Sequence, residues 1–265
     1  MRRTILRDLA ILLISFGVIW GIVSVFPVFP EKVELMSMEK EQELGKRYLD
    51  VLALDPSVQL LEDESLDSVI GVIGRRLEKA VENRQYEYHY TLFETEMINA
   101  FTLPGGYVVV TTGLIRFCDR PEELAAVIAH EMGHAEMKHV TRRLVRELGM
   151  QILSSGDPYV MGEVTKMITS STFDRHQEKE ADRFSREVLE RAGIEPRILA
   201  TLFRKLKAEQ DNRLLEKFEI VSTHPNFDSR IRAALGYEPD PGFREKPFEI
   251  DWKSVKNHLP ANEGK

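Results

Sequence analysis

Residues 9–29 form a stretch of 21 residues without a charged side chain, and this stretch constrains the fold more than any other feature. At a rise of about 1.5 Å per residue, a helix of this length covers the roughly 30 Å hydrocarbon core of a bilayer. Three arginines precede the stretch, opposed by one aspartate, whereas two glutamates and one lysine follow it. Because positive charge favours the cytoplasmic side, we predict one transmembrane helix with a cytoplasmic N-terminus and an exported remainder.

A cleaved signal peptide is the alternative interpretation of the same stretch. Its last residues, from Val25 to Phe29, lack the small side chains at alternate positions that signal peptidase requires. We therefore favour an uncleaved anchor within residues 1–30. An exported domain over residues 31–240 and a C-terminal tail over residues 241–265 then complete the chain.

The balance of charge and the cysteine count exclude several classes of protein. The chain has 36 Lys and Arg residues against 43 Asp and Glu residues, which gives a net charge of -7. A nucleic-acid binder needs a basic face for the phosphates, so we expect no nucleic-acid partner. Cys118 is the only cysteine, which rules out an intrachain disulfide and a cysteine-based zinc site. Any bound metal must therefore be held by histidines and carboxylates.

The sequence after the apolar stretch predicts a mostly helical α+β domain with one small sheet. Helix signals occur in six segments: 37–53, 65–82, 119–148, 174–191, 196–209 and a short one after 226. Strand signals occur in three segments: 86–93, 97–102 and 107–112. The last two flank Pro104, Gly105 and Gly106, whose glycines permit the positive φ of a hairpin turn. We therefore predict a three-stranded, largely antiparallel sheet, followed by one continuous helix that ends at Gly149.

The sequence His-Glu-Met-Gly-His at residues 130–134 carries the clearest chemical signal. His130 and His134 are four residues apart, so on a helix both rings share one face and reach one metal ion at about 2.0 to 2.1 Å. Glu131 lies beside that face and can accept a proton from a water whose pKa zinc lowers toward about 7. This combination is typical of metal-assisted peptide hydrolysis. A chance match and two hydrogen-bonded core histidines are the competing interpretations, and the second leaves Glu131 without a partner.

A third protein ligand is needed, and His139 is the nearest candidate along the chain. In a continuous helix, the nine residues between His130 and His139 place them on opposite faces. A metzincin site is also excluded, because Met137 and Val140 stand where that pattern needs glycine and histidine. We therefore expect a structural or surface role for His139.

Carboxylates on a later helix are the other source of a third ligand. Glu178 and Asp182 are four residues apart and share a helix face, whereas Glu180 points about 200° away from Glu178. Glu178 as ligand, with Asp182 bonded to the free ring nitrogen of a ligand histidine, is consistent with this spacing. A solvated acidic helix face explains the spacing equally well.

These motifs resemble the zinc metalloprotease family of HtpX, BepA and the CAAX prenyl endopeptidases. That family carries His-Glu-x-x-His and a later Glu-x-x-x-Asp motif, matched here by residues 130–134 and 178–182. Residues 99–114 resemble the strand that precedes the zinc helix in the family. His224, between Thr223 and Pro225, resembles its downstream His-Pro motif together with Arg230.

The resemblance spans about residues 37–236, with Asp174 standing where relatives often have serine. It implies a zincin-like fold and one zinc ion per chain. The implied residues around that ion are the ligands His130, His134 and Glu178, the histidine partner Asp182, and the general base Glu131. His224 would either plug the open zinc position or stabilise the transition state, and Arg230 would clamp a substrate carbonyl. Packing or salt-bridge roles remain open for both.

The predicted hairpin offers an edge to which an extended substrate segment could add as a further strand. Either the strand ending at Gly105 and Gly106 or the strand 107–112 could serve, and an ordinary hairpin without substrate is the alternative. The candidate substrate-binding residues are Asn99, Gly105, Gly106, Tyr107, Val108 and Val109.

We predict a single-span, membrane-anchored zinc endopeptidase whose protein substrates, by resemblance, are misfolded or misassembled envelope or membrane proteins. The expected location is a bacterial cytoplasmic membrane with the catalytic domain in the periplasm, and a mitochondrial inner membrane is the second choice. Two other classes compete with this prediction. One is a chaperone-like or adaptor protein that uses the zinc domain for binding without proteolysis, and the other is an anchored binding module without metal.

Overall fold

The computed structural model describes residues 36–54, 59–149, 160, 162, 164, 172–211, 220, 223–224 and 226–260. The predicted transmembrane stretch, residues 9–29, lies outside these described residues. Within them, no helix combines the length and the apolar composition that a bilayer span requires.

Helices make up most of the described chain and surround one small sheet. In chain order the elements are α1 (Met38–Leu52), β1 (Gln59–Leu61), α2 (Glu64–Glu78), β2 (His89–Glu94), β3 (Ala100–Leu103), β4 (Tyr107–Thr111), α3 (Thr112–Phe117), α4 (Pro121–Glu136), α5 (His139–Leu148), α6 (Arg175–Arg191), α7 (Ile198–Asp211), α8 (Phe227–Leu235) and α9 (Trp252–His258). The prediction of a mostly helical α+β fold is confirmed.

Among the described residues, the sheet is mixed and has four strands in the order β1-β2-β4-β3. β2 and β4 run parallel, whereas the pairs β1-β2 and β3-β4 are antiparallel. The prediction of a three-stranded, largely antiparallel sheet is therefore wrong. The turn between β3 and β4 does use the positive φ of Gly105 and Gly106, at 78° and 87°. However, β4 then inserts beside β2, and the three-residue β1 is too short to show an alternating pattern.

Helix α4, which carries the motif of residues 130–134, is buried along its whole length. Its apolar run from Leu124 to Ala129 belongs to the same core cluster as the inner faces of α2 and α7. β3 and α6 also pack against α4. Burial of apolar surface on several sides therefore fixes the position of the motif.

A break at Lys138 divides the predicted continuous helix into α4 and α5, so that prediction is wrong. Lys138 is left-handed, with φ 54° and ψ 33°, and its N–H donates to the carbonyl of Ala135. Its ammonium group lies 3.1 Å from the carboxylate of Glu41 in α1, a buried group that also accepts from the Tyr86 hydroxyl. The left-handed conformation costs a non-glycine residue about 1 to 3 kcal/mol. The contact with Glu41 offsets part of that cost. No local sequence pattern predicts the break at Lys138.

The contact between α4 and α6 depends on Gly133, the fourth residue of the motif. A Cβ at this position would lie 2.9 Å from the Cα of Ala181 in α6. The glycine therefore allows the two backbones to approach closely. This approach brings the acidic residues of α6 next to the histidines of α4.

Helix α6 begins with a capping box at Asp174. The Asp174 carboxylate accepts from the N–H groups of His176 and Gln177 at 2.8 and 2.9 Å, and the Gln177 side chain accepts from the N–H of Asp174. Serine is another favoured residue at the first position of a helix. Aspartate at position 174, where relatives often have serine, therefore preserves the local structure of the helix start.

The predicted C-terminal tail, which the structure describes up to residue 260, lies against the start of α4. Trp252 of α9 is buried, and its ring N–H donates to the carbonyl of Cys118 at 2.8 Å. The N–H of Phe248 donates to the Glu122 carboxylate at 3.0 Å. These contacts connect the end of the described chain to the first turn of the motif helix.

We expect Gly133→Ala to lower the free energy of unfolding by about 1 to 3 kcal/mol, the usual cost of overpacking a tight contact. Urea unfolding of the metal-free protein measures this change. Gly71→Ala in α2 is the matched control, because its Cβ would meet only the flexible end of the Arg75 side chain. Alanine also favours helix more than glycine does, so the control should keep or gain stability. Equal stability of Gly133→Ala and the wild type would show that the close helix contact is not required.

Candidate metal centre

His130 and His134 lie on the face of α4 that meets α6. Their Nε2 atoms are 3.1 Å apart, and the two side chains are buried. Burial lowers the pKa of His134 well below its usual value, because it penalises the charged ring. A neutral histidine is the form that binds a metal ion.

Glu178, in the first turn of α6, faces both rings. Its Oε1 lies 3.4 Å from His134 Nε2, and its Oε2 lies 3.6 Å from His130 Nε2. Burial alone would raise the pKa of Glu178, but the His224 ring and the Arg230 guanidinium hold it below its usual value. The carboxylate therefore stays ionised, as a metal ligand must.

His224 approaches the same point from the other side. Its Nδ1 lies 2.9 Å from Glu178 Oε1 and 3.3 Å from His130 Nε2. The backbone of the preceding residue is held by Phe173, whose N–H donates to the Thr223 carbonyl at 3.2 Å. His224 thus adds a fourth donor atom to the group formed by the two helices.

The four donors His130, His134, Glu178 and His224 fit one zinc ion. A tetrahedral zinc with ligands at about 2.0 to 2.1 Å separates neighbouring donor atoms by about 3.3 Å. The separations given above, which include both Glu178 oxygens, range from 2.9 to 3.6 Å, and with one donor atom from each residue all four atoms lie within 4.8 Å of one another. Histidine and carboxylate are also the donor types that zinc accepts. The group is closed to solvent, since each of its four residues is at most 5% exposed.

Glu131 lies next to the donor group without belonging to it. It is 1% exposed, and its Oε1 is 3.5 Å from His224 Nε2. Burial raises its pKa to about 7, because the carboxylate charge loses its solvation. A carboxyl group with this pKa can exchange a proton near neutral pH.

Asp182 and Arg230 lie behind the donor group. Asp182 Oδ1 is 3.1 Å from His130 Nδ1, the ring nitrogen that faces away from the other donors. Arg230 donates to both oxygens of Asp182, at 2.7 and 2.8 Å, and lies 2.7 Å from Glu178 Oε2. Burial alone would raise the pKa of Asp182, yet Arg230 and His130 hold it low. The arginine therefore balances two buried carboxylates.

This geometry does not support the predicted contact of Arg230 with a substrate carbonyl. Arg230 is 4% exposed, and all three guanidinium nitrogens already contact protein atoms. Its guanidinium also lies 4.1 Å from the centre of the Phe203 ring. We assign it instead to the support of Glu178 and Asp182.

His139 lies beside the donor group, where the sequence did not place it. It is 1% exposed, and its Nδ1 lies 2.9 Å from Nδ1 of His134. Its Nε2 lies 3.3 Å from the Glu180 carboxylate of α6. The expected position on the far face of a continuous helix is wrong, because the break at Lys138 turns the chain back toward His134.

The two strands that were predicted to bind substrate, β3 and β4, have different neighbouring strands in the sheet. Tyr107, Val108 and Val109 lie in β4, which pairs with β2 on one side and β3 on the other. The prediction that β4 accepts a substrate strand is therefore wrong. In the part of the chain that the structure describes, β3 is the last strand of the sheet, and it packs against α4. It begins just after Asn99 and ends at the turn with Gly105 and Gly106.

Residues 62–238 match Peptidase family M48. The chain belongs to this family. Enzymes of family M48 use zinc, and the buried donor group fits one zinc ion per chain. The family match agrees with the resemblance seen in the sequence motifs.

Curated relatives are similar over the same region. The Beta-barrel assembly-enhancing protease of Escherichia coli (strain K12) is 31% identical over 216 residues, covering 75% of this chain and 44% of the relative. The Metalloprotease LoiP of the same strain is 31% identical over 142 residues, covering 49% of this chain and 56% of the relative. The Mitochondrial metalloendopeptidase OMA1 of Arabidopsis thaliana is 33% identical over 141 residues, covering 51% and 28%. The chain therefore spans less than half the length of the first of these relatives.

Proposed function

We propose that this protein is a zinc endopeptidase in which His130, His134 and Glu178 bind the metal ion. The observation that carries the proposal is the convergence of these three side chains from two helices, with Glu131 beside them. When bound, zinc supplies a Lewis acid and lowers the pKa of a water molecule. Glu131 takes the proton of the attacking water and returns it to the leaving amine. Asp182, paired with Arg230, holds the His130 ring in the orientation that directs Nε2 to the metal.

We further propose that an extended substrate segment pairs with the outer edge of β3. In the described residues, β3 ends the sheet and packs against α4, whereas β4 has a partner strand on both sides. Pairing of this kind uses backbone hydrogen bonds, so it accepts many sequences. Loose sequence preference suits an enzyme that removes damaged proteins.

His224 is the proposed plug of the metal centre. Its Nδ1 lies 2.9 Å from Glu178 Oε1 and 3.3 Å from His130 Nε2, within a buried group of four potential donors. A catalytic zinc keeps one position open for water, whereas a site with four protein ligands is closed. If a metal ion is held by this group, His224 would have to leave its position for hydrolysis, and the described arrangement would be a resting state.

The proposed substrates are misfolded or misassembled proteins of a bacterial envelope, and the proposed location is the cytoplasmic membrane with the catalytic domain in the periplasm. The names of two relatives support this proposal, a beta-barrel assembly-enhancing protease and the Metalloprotease LoiP. The uncharged stretch 9–29 and the arginines before it support the anchor and its orientation. The mitochondrial relative keeps an organelle membrane as the second location.

Glu131→Gln should keep zinc bound and lower the rate of hydrolysis of an unfolded protein by about 100-fold to 10000-fold. Zinc content by atomic absorption and casein digestion measure the two effects. Glu43→Gln, at an exposed pair with Arg47, is the matched control and should cleave at the wild-type rate. Full activity of Glu131→Gln would remove the mechanism. Normal cellular function of an inactive Glu131→Gln protein would favour the chaperone or adaptor role.

His224→Ala should raise the rate of hydrolysis, because it opens the metal centre. A closed state favoured by about 1.4 kcal/mol would correspond to a rise of about tenfold. His258→Ala is the control, since this half-exposed histidine pairs with Asp63 away from the metal centre. A lower kcat of His224→Ala with unchanged KM would instead indicate that His224 stabilises the transition state.

The full chain, expressed in a bacterium, should remain in the membrane pellet after alkaline carbonate extraction. A chain that starts at residue 30 and carries a cleavable export signal should appear in the soluble periplasmic fraction. This difference is expected because residues 9–29 supply enough apolar surface to keep the protein in the bilayer. If expression of the full chain instead gives a soluble product with a new N-terminus near residue 30, the stretch is a cleaved signal peptide.

A further inference from the structure

The mechanism proposed above leaves the buried His139 and its half-buried partner Glu180 without a role. His139 begins α5 and lies between a proposed metal ligand, His134, and the acidic residue Glu180 of α6. His139 is not part of the donor group, although it is as deeply buried as the ligands. Its two ring nitrogens are both engaged, at 2.9 Å with His134 Nδ1 and at 3.3 Å with Glu180 Oε2.

The two histidine ligands therefore have different partners at their second nitrogen. Nδ1 of His130 faces the carboxylate of Asp182 directly, at 3.1 Å. Nδ1 of His134 faces another histidine, and only the far side of that histidine reaches a carboxylate. At His134, the ring of His139 therefore stands between the ligand and the carboxylate of Glu180.

Glu180, His139 and His134 form a row of hydrogen-bonded side chains. One assignment of protons satisfies every contact in this row. An ionised carboxylate only accepts, so Nε2 of His139 donates its proton to Glu180. In neutral His139 the other nitrogen, Nδ1, then accepts, and it accepts from Nδ1–H of His134. The free lone pair of His134 is thereby left on Nε2, the atom that faces His130 and Glu178. The row thus selects the tautomer of His134 that can bind the metal.

The backbone around His139 is built for this contact. The left-handed Lys138 ends α4 and turns the chain so that the first residue of α5 returns to the last turn of α4. The buried Glu41 holds the Lys138 ammonium group at 3.1 Å. Phe173 stacks on the His134 ring, with the ring centres 3.8 Å apart. The ring of His134 is therefore fixed by stacking and by its hydrogen bond.

We propose that His139 is a positioning residue that, together with Glu180, fixes the tautomer and the orientation of His134 for zinc. The proposal rests on the zinc site of the proposed function. His139 does not touch the metal, and it acts only through His134. A carboxylate in series with the two rings also raises the basicity of the ligand, as a direct carboxylate partner does. Loss of such a partner typically lowers metal affinity about 10-fold to 100-fold.

The test compares His139→Leu with His139→Asn in the full-length protein. Leucine fills the space but accepts no hydrogen bond, whereas the side-chain oxygen of asparagine can take the place of Nδ1. Zinc affinity is measured by competition with a chromophoric chelator, and thermal unfolding is measured with and without zinc. His258→Leu is the matched control for loss of a histidine away from the metal centre.

The expected result is a 10-fold to 100-fold weaker zinc affinity for His139→Leu, with a much smaller loss for His139→Asn. Glu180→Gln should also lose affinity, because the neutral amide no longer fixes which nitrogen of His139 carries the proton. The visible spectrum of the cobalt-substituted protein should change for His139→Leu and remain close to wild type for His139→Asn. The zinc-dependent rise in melting temperature should decrease in the same order.

Three outcomes would overturn the proposal. Wild-type zinc affinity in His139→Leu would leave the metal site intact and remove the positioning role. Equal losses in both His139 variants, with equal falls in the melting temperature of the zinc-free protein, would assign His139 to packing alone. Failure of the wild type to bind zinc would remove the proposed function itself. If His139→Leu does not fold, wild-type affinity in Glu180→Gln together with an unchanged cobalt spectrum would still refute the row.

Discussion

The close contact of α4 with α6 is the constraint on which the site depends. Gly133 leaves room for the Cα of Ala181, and the acidic side chains of α6 then stand opposite the histidines of α4. α6 supplies a carboxylate at positions 178, 180 and 182, and these reach three different histidines, at 224, 139 and 130. A small residue between the two histidines is thus part of what brings the two helices together. Its role is to set the distance between two backbones.

The cost of burying this many charges is met within the site. Two ionised carboxylates, Glu178 and Asp182, lie in an apolar interior, where an unpaired charge is strongly unfavourable. Arg230 contacts both, and its guanidinium packs on the Phe203 ring at 4.1 Å. A divalent cation between the histidines would add further positive charge next to Glu178. The metal centre is therefore a balanced ionic cluster, and a change in any one member affects the pKa of the others.

Much of this arrangement could be predicted from the sequence, because its main elements are local. The spacing of His130 and His134, and of Glu178 and Asp182, follows from one helical turn, and the structure brings these four side chains together. The errors concern contacts between distant segments. The position of β4 between β2 and β3 depends on strand pairing, and the break at Lys138 depends on Glu41, nearly 100 residues earlier. Lysine has no preference for the left-handed conformation, so the sequence shows no sign of the break.

The break at Lys138 also changes how relatives of this protein should be compared. In an unbroken helix, a further partner of His134 is expected three, four or seven residues away. Here the partner is five residues away, a separation that an unbroken helix places on a different face. One residue more or fewer between His134 and His139 would move the His139 ring out of reach of His134. The motif of residues 130–134 would stay intact. The length of the connection between α4 and α5, as well as its composition, therefore decides whether His139 reaches His134 in this protein.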